Sequence, residues 1–180
     1  MFFYWSYLND HDKNDDMDIR NIKLYDLFGQ GNHASTVSAI ILIIALTVEN
    51  KLGLDILKIQ RPIQIGLAVF LFSLAIIIYA VSFKHLALLK QNKEFITDGP
   101  YKYVRHPRYS SLIFCVYPAF CLLFNSFLGL ISTIFVYQVF KFFIRREEDY
   151  LIAIFGSRYE HYRKLTPAFI PNLELSKKNN

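Results

Sequence analysis

Two polar stretches hold the side chains with the most chemistry to offer. The first, Thr97-Asp98-Gly99-Pro100-Tyr101-Lys102-Tyr103-Val104-Arg105-His106-Pro107-Arg108-Tyr109, joins a turn-forming Gly-Pro to a proline suited to the first turn of a helix. Arg105 and His106 then stand at a helix N-terminus, where backbone N–H groups and basic side chains can hold a carboxylate or phosphate. The plainer alternative is a basic membrane flank whose side chains snorkel. The second stretch, Ile144-Arg145-Arg146-Glu147-Glu148-Asp149-Tyr150-Leu151, sets three acids directly behind two arginines. Beyond it Leu151, Phe155, Tyr159 and Tyr162 step by 4, 4 and 3, which draws one apolar and aromatic stripe on a helix that Gly156 bends. An interfacial amphipathic helix explains the stripe. It does not explain why acids should cluster at a membrane edge, where nothing about insertion calls for them.

The elements that must position these residues are membrane helices. The chain has 180 residues, 20 Lys+Arg against 15 Asp+Glu, 53% hydrophobic and 17% aromatic side chains, and a mean hydropathy of +0.25. That composition excludes a disordered chain and argues against an ordinary soluble domain. Ile63 to Phe83 is a 21-residue run without a charged side chain, and at about 1.5 Å per residue it covers roughly 31 Å of hydrocarbon. Shorter runs cover Ala34 to Val48, Ser110 to Phe124, and Phe127 to Phe140. Only Asn125 and Ser126 divide the last two, which predicts a tight helical hairpin with Pro118 kinking its first arm. The expected fold is all-α: a polytopic bundle of about four spans, with a further helix behind the hairpin.

Basic residues give the orientation. Three precede the first span, three lie between Lys51 and Arg61, six between Lys84 and Arg108, none in the hairpin turn, and eight from Lys141 onward. With four spans, 17 share one side and three the other, so both termini and both polar stretches are expected to be cytoplasmic. The +5 net charge is thereby read as topology, and no nucleic-acid partner is inferred. The expected organisation is an N-terminal cytoplasmic arm (1–33), two spans (34–92), a site-bearing region with the hairpin (93–171) and a polar tail (172–180).

Other features are read as structural. Phe2, Phe3, Tyr4 and Trp5 suit the lipid interface, and the absence of a basic n-region and a cleavage site argues against a signal peptide. Gly29-Gln30-Gly31-Asn32-His33-Ala34 has the spacing of a dinucleotide loop but no strand before it and no βαβ unit after it. It is expected to be a loop that leads into the first span, with Asn32 or Ser35 as N-cap. Cys115 and Cys121 would be separated by about 9 Å of helical rise, too far for a disulfide. His106, Glu147 and His161 lack the paired Glu-x-x-His spacing of a bundle metal site, so no metal is predicted.

Because the two polar stretches flank the hairpin, they come to the same membrane face, with cations on one wall and carboxylates on the other. Their order carries a resemblance. Gly99-Pro100-Tyr101, Arg105-His106-Pro107-Arg108-Tyr109, Glu147-Glu148, Phe155-Gly156-Ser157-Arg158-Tyr159-Glu160-His161-Tyr162 and the closing prolines resemble the C-terminal signature of isoprenylcysteine carboxyl methyltransferases and the related phospholipid methyltransferases. The likeness runs from about Glu94 to Pro171. It implies an integral membrane methyltransferase that binds S-adenosyl-L-methionine without a Rossmann domain. Carried onto this chain, it implies a cofactor wall of Lys93, Glu94, Phe95, Ile96, Tyr101, His106, Pro107, Arg108 and Tyr109, with Glu147 opposite. Arg105 and Glu148 are the implied catalytic residues. At one position the chain departs: an arginine that the family places one turn before the first Glu falls at Phe143, leaving Lys141 and Arg145 as the nearest substitutes.

The implied chemistry makes physical sense at a membrane edge. A sulfonium methyl is already electrophilic, so transfer depends on in-line positioning of the nucleophile. A carboxylate nucleophile loses its charge together with the sulfonium, which a poorly solvated site favours. An amine must arrive deprotonated, with His106 or Glu148 to help. The acceptor stays open between a prenylcysteine-type carboxylate and a lipid amine, each arriving from the bilayer. Two other readings remain: an NADPH-dependent membrane reductase resembling the sterol reductases, and a non-enzymatic membrane scaffold.

Overall fold

In the computed structural model, residues 24–54, 57–92 and 97–171 are described, and every regular element among them is helical. Helix α1 spans Leu24–Leu52 and α2 spans Arg61–Asn92. A 3₁₀ turn at Gly99–Lys102 leads to α3, Pro107–Leu123, and after a two-residue turn α4 spans Phe127–Phe155. The short α5, Ser157–Leu165, closes the bundle. Three stretches are long and apolar enough to cross a membrane, Gly31–Leu52, Arg61–His85 and Phe127–Phe155, and α3 is a shorter apolar helix beside them. The all-α polytopic bundle is as the apolar runs predict.

The hairpin is built as expected, and neighbouring helices hold its turn. Asn125 takes a positive φ of 54°, a conformation its short polar side chain tolerates. Ser126 caps α4 by accepting from Gly129 N at 2.9 Å. Glu49 of α1, although buried, accepts from Phe127 N at 2.9 Å and from the Ser126 hydroxyl. Gln64 of α2 donates to the Asn125 side chain. Two of the N–H groups at the start of α4, those of Phe127 and Gly129, thereby gain side-chain acceptors.

Pro118 is accommodated by a π-helical turn, Leu112–Val116, just before it. The wider turn relieves the clash between the proline ring and the preceding carbonyls. Helix α1 lies along α4 and α2 along α3. One apolar core joins Ala34, Tyr109, Ile113, Tyr117, Cys121, Val136, Phe140, Ile144 and Phe169. Both cysteines are free and buried.

Three sequence expectations are corrected. The Gly29 to Ala34 segment is helix, not loop, since α1 begins at Leu24 within the arm expected to reach residue 33. Ser35 accordingly caps nothing and returns its hydroxyl to Gly31 O at 2.8 Å. The spanning helix does not stop at Phe140: α4 continues unbroken to Phe155 and carries the acids on its last turns. Gly156 ends it outright with a φ of 56°, a region glycine enters without steric cost, and α5 sets off in a new direction. The aromatic residues at 2–5, the arm through residue 23, Lys93 to Ile96 and the polar tail lie outside the described residues.

Candidate active site

The site forms where three chain segments meet at the end of the bundle remote from the hairpin turn. Pro107 starts α3, so Arg105 and His106 sit just ahead of its first turn. The segment after α5 returns alongside them: Arg105 N donates to Pro167 O at 2.8 Å and His106 N to Ala168 O at 3.0 Å. Ser110 Oγ donates to Phe169 O at 2.8 Å, and the Tyr162 hydroxyl to Tyr101 O at 2.6 Å. Each of these contacts joins the first polar stretch, or the first turn of α3 behind it, to α5 or the segment that follows it.

Glu147 and Glu148 project from α4 into this junction, and both are buried. Glu148 is fully engaged. Arg105 Nε donates to its Oε1 at 2.8 Å and Arg105 Nη2 lies 2.6 Å from the same atom. His106 Nε2 is 3.1 Å from Oε1, and Arg163 Nε is 3.2 Å from Oε2. The Arg105 guanidinium also reaches Arg163 O at 2.9 Å and Thr166 O. One carboxylate and one arginine thus tie together the first polar stretch, α4 and the C-terminal segment.

Glu147 is arranged differently. The Tyr109 hydroxyl donates to its Oε2 at 3.0 Å, while Oε1 has His106 Nδ1 at 3.8 Å, beyond hydrogen-bond range. The His106 ring stacks on Tyr109 at 5.6 Å with 15° between the planes. Arg108 bridges toward α2, donating to the Tyr79 hydroxyl at 3.1 Å with its guanidinium 4.9 Å from that ring's centre. Outside the spans, burial pushes the Tyr101 phenol up to about 12, with the Arg108 charge opposing the rise. Burial likewise raises Tyr159 and Tyr162 of α5.

Of the residues expected at the site, Tyr101, Arg105, His106, Pro107, Arg108, Tyr109, Glu147 and Glu148 all lie at this junction. Lys93 to Ile96 fall outside the described residues. Neither substitute for the family arginine reaches the cluster: Lys141 and Arg145 are exposed on the outside of α4, and Phe143 stacks with His33 at 6.3 Å. The sequence reading missed Gly31, Tyr79, Arg163 and Phe169. Gly31 leaves no room for a side chain, since a Cβ would stand 2.7 Å from the Tyr109 hydroxyl oxygen. Gly31 was therefore a signal, though of close packing and not of a nucleotide loop.

An apolar cavity of about 380 Å³ adjoins the site between α1 and the hairpin, with Ser35, Leu42, Leu112, Tyr117, Phe120 and Phe140 among its walls. Phe140 belongs to both places, because its ring also lies 5.5 Å from Tyr109. Ile43 and Phe124 of the same walls are more than half exposed on the bundle's outer surface.

The sequence pattern of the family described as phospholipid methyltransferase matches residues 63–158. The protein-S-isoprenylcysteine O-methyltransferase of Schizosaccharomyces pombe is 38% identical over 104 residues, 57% of this chain and 44% of that protein. Protein-S-isoprenylcysteine O-methyltransferase B of Arabidopsis thaliana is 30% identical over 99 residues, 54% of this chain and 50% of the relative. The methanethiol S-methyltransferase of Crocosphaera subtropica is 36% identical over 80 residues, 43% of this chain and 29% of the relative. The chain thus spans about half the length, or less, of these curated relatives. No solved structure matches. With the matched region covering more than half of its residues, including the first polar stretch, both acids and the start of α5, the chain belongs to the phospholipid methyltransferase family.

Proposed function

We propose that this protein transfers a methyl group from S-adenosyl-L-methionine to a lipophilic acceptor drawn from the bilayer, the acceptor being a prenylcysteine-type carboxylate. The observation that carries this reading is the Tyr109–Glu147–His106 cluster standing at one end of an apolar, membrane-level cavity. The residues fit the cofactor. Glu147 is buried with one oxygen taken by Tyr109 and the other outside hydrogen-bond reach of its nearest donor, which leaves an acceptor for a ribose hydroxyl or an ammonium group. When bound, S-adenosylmethionine supplies an electrophilic sulfonium methyl.

The chain's own residues bind and orient. Glu147 accepts hydrogen bonds from the cofactor, and Tyr109 fixes its carboxylate. Arg105 and Glu148, implied as catalytic by the resemblance, serve here as positioning residues: Glu148 already accepts from Arg105, His106 and Arg163, so it is poorly placed to take a further proton. The pair instead holds His106 against Glu147. Arg108 and the α3 N-terminus provide positive charge for an acceptor carboxylate. The cavity walls of α1, α3 and α4 take the lipid chain and keep water away, which favours mutual loss of charge between carboxylate and sulfonium. The asymmetry of basic residues and the cytosolic supply of the cofactor both favour a cytoplasmic site.

Transfer of labelled methyl in proteoliposomes tests this reading. N-acetyl-S-farnesylcysteine should be methylated at least tenfold faster than a short-chain S-alkyl analogue, and phosphatidylethanolamine not at all. Equal rates for long and short thioethers would remove the lateral route from the bilayer, and labelling of the phospholipid amine would reassign the acceptor.

A further inference from the structure

A second groove, of about 450 Å³, lies on the outer side of the α1–α4 pair, lined by Ile41, Phe135, Gln138, Val139, Phe142 and Phe143. It shares no wall residue with the cavity beside the site. Phe135, Val139, Phe142 and Arg146 step by 4, 3 and 4 on α4, and Gln138, Phe142 and Arg145 by 4 and 3, so the groove's face runs directly onto two arginines. Lys141, Arg145 and Arg146 are all exposed, and none has an ion-pair partner among the described residues. Glu147 and Glu148, which follow the arginines directly, are buried in the site, and the nearest exposed acid, Asp149, stands about one turn farther along the helix. His33 flanks the same end through its stack on Phe143.

Gln138 is the telling residue. Two exposed hydroxyls of the other spans are satisfied by their own helix: Thr47 donates to Ile43 O at 2.7 Å and Ser73 to Val69 O at 2.8 Å. The Gln138 amide is exposed, has no hydrogen-bond partner among the described residues, and sits about 10 Å inside Arg145 along the helix axis. An amide left unsatisfied against hydrocarbon costs several kcal/mol. A groove with a cationic rim, an amide two turns deeper and an apolar floor matches, in order, the phosphate, glycerol ester and acyl chain of one lipid.

We propose that this groove binds an anionic glycerophospholipid lengthwise: phosphate at Arg145 and Arg146, ester carbonyl on the Gln138 amide, and acyl chain along Phe135, Val139 and Ile41. A second copy of the chain is the competing occupant, since transmembrane glutamines pair across helices. Two-fold packing through this face would, however, bring two sets of Arg145 and Arg146 together, whereas a lipid phosphate neutralises them. The site is separate from the methyl-transfer cavity and does not depend on which acceptor is methylated.

Native mass spectrometry of the full chain in detergent, titrated with dioleoylphosphatidylglycerol and dioleoylphosphatidylcholine, tests the assignment. Wild type should retain phosphatidylglycerol at least tenfold better. The Arg145→Gln/Arg146→Gln variant should lose that preference, Arg145→Lys/Arg146→Lys should keep most of it, and Lys84→Gln on α2 should leave it unchanged. Gln138→Leu should weaken retention of both lipids severalfold. Equal retention of the two lipids by wild type, or a preference that survives the double Gln variant, would overturn the proposal. A dimer mass that Gln138→Leu abolishes would give the face to a second copy and overturn it equally.

Discussion

Gly31 of α1 lies against the ring of Tyr109, whose hydroxyl donates to Glu147 at 3.0 Å, so the first span presses directly on the residue that orients the buried carboxylate. A methyl group at position 31 would stand 2.7 Å from the Tyr109 hydroxyl oxygen. Gly31→Ala must therefore displace the ring or push α1 outward, an overpacking cost of about 1–3 kcal/mol. Thermal unfolding in detergent should show that loss, and affinity for S-adenosylhomocysteine should fall about tenfold. Tyr109→Phe removes the hydrogen bond without the clash and should cost about 1–3 kcal/mol through the uncapped Glu147 oxygen. Unchanged affinity in both variants would separate α1 from the site.

Arg105 joins three segments through one guanidinium. Arg105→Ala leaves Glu148 buried with its main partner gone, which costs about 3–5 kcal/mol. Arg105→Lys keeps the charge but loses the fork that serves Glu148, Arg163 O and Thr166 O together, so its stability should fall between the two. Chemical denaturation of the three proteins checks the order, and equal midpoints would contradict it.

Much of this was legible before any coordinates, for identifiable reasons. The 21-residue uncharged run, the two-residue break at Asn125-Ser126 and the grouping of basic residues each leave a one-dimensional trace, and the bundle follows from them. The site's two walls were visible because acids at a membrane edge need a reason. The partnerships were not visible. Arg163 and Phe169 meet the Arg105 segment only because Gly156 redirects the chain, and no periodicity encodes that turn. Tyr79 sits inside a uniformly apolar run, where a hydroxyl looks incidental until Arg108 is found against it. The Gly29 to Ala34 segment was misread because glycine and asparagine usually signal a loop, whereas Gly31 is needed for close approach of one helix to another's tyrosine.

Glu49 belongs to the opposite end of the bundle and should behave accordingly. It accepts from Phe127 N and the Ser126 hydroxyl, so Glu49→Gln weakens the cap of α4. Stability should drop by about 1–3 kcal/mol. Glu147 lies 20 residues farther along α4, about 30 Å away, and S-adenosylhomocysteine affinity of the folded variant should stay within twofold of wild type. A large affinity loss without destabilisation would place Glu49 in a role this fold does not predict.

Alkaline pH should destabilise the protein through its buried phenols. Burial raises Tyr101 from an ordinary 10 to about 12, so between those values the unfolded chain releases a proton that the folded chain keeps. Stability is therefore fully present below pH 10 and declines as the pH rises toward 12. Phenolate absorbance of the folded protein should lag behind that of the denatured chain over this range, and Tyr101→Phe should flatten part of the decline. Coincident titration curves for the folded and denatured chains would contradict the burial of these rings.

The most direct test is calorimetric titration of S-adenosylhomocysteine into the detergent-purified chain, with Glu147→Gln and NADPH run in parallel. Micromolar binding by wild type, lost at least a hundredfold in Glu147→Gln while its unfolding temperature is retained, is the expected result, with no heat from NADPH. Binding that Glu147→Gln leaves intact, or heat from NADPH and none from S-adenosylhomocysteine, would contradict the assignment of this carboxylate to a methyl-donor site.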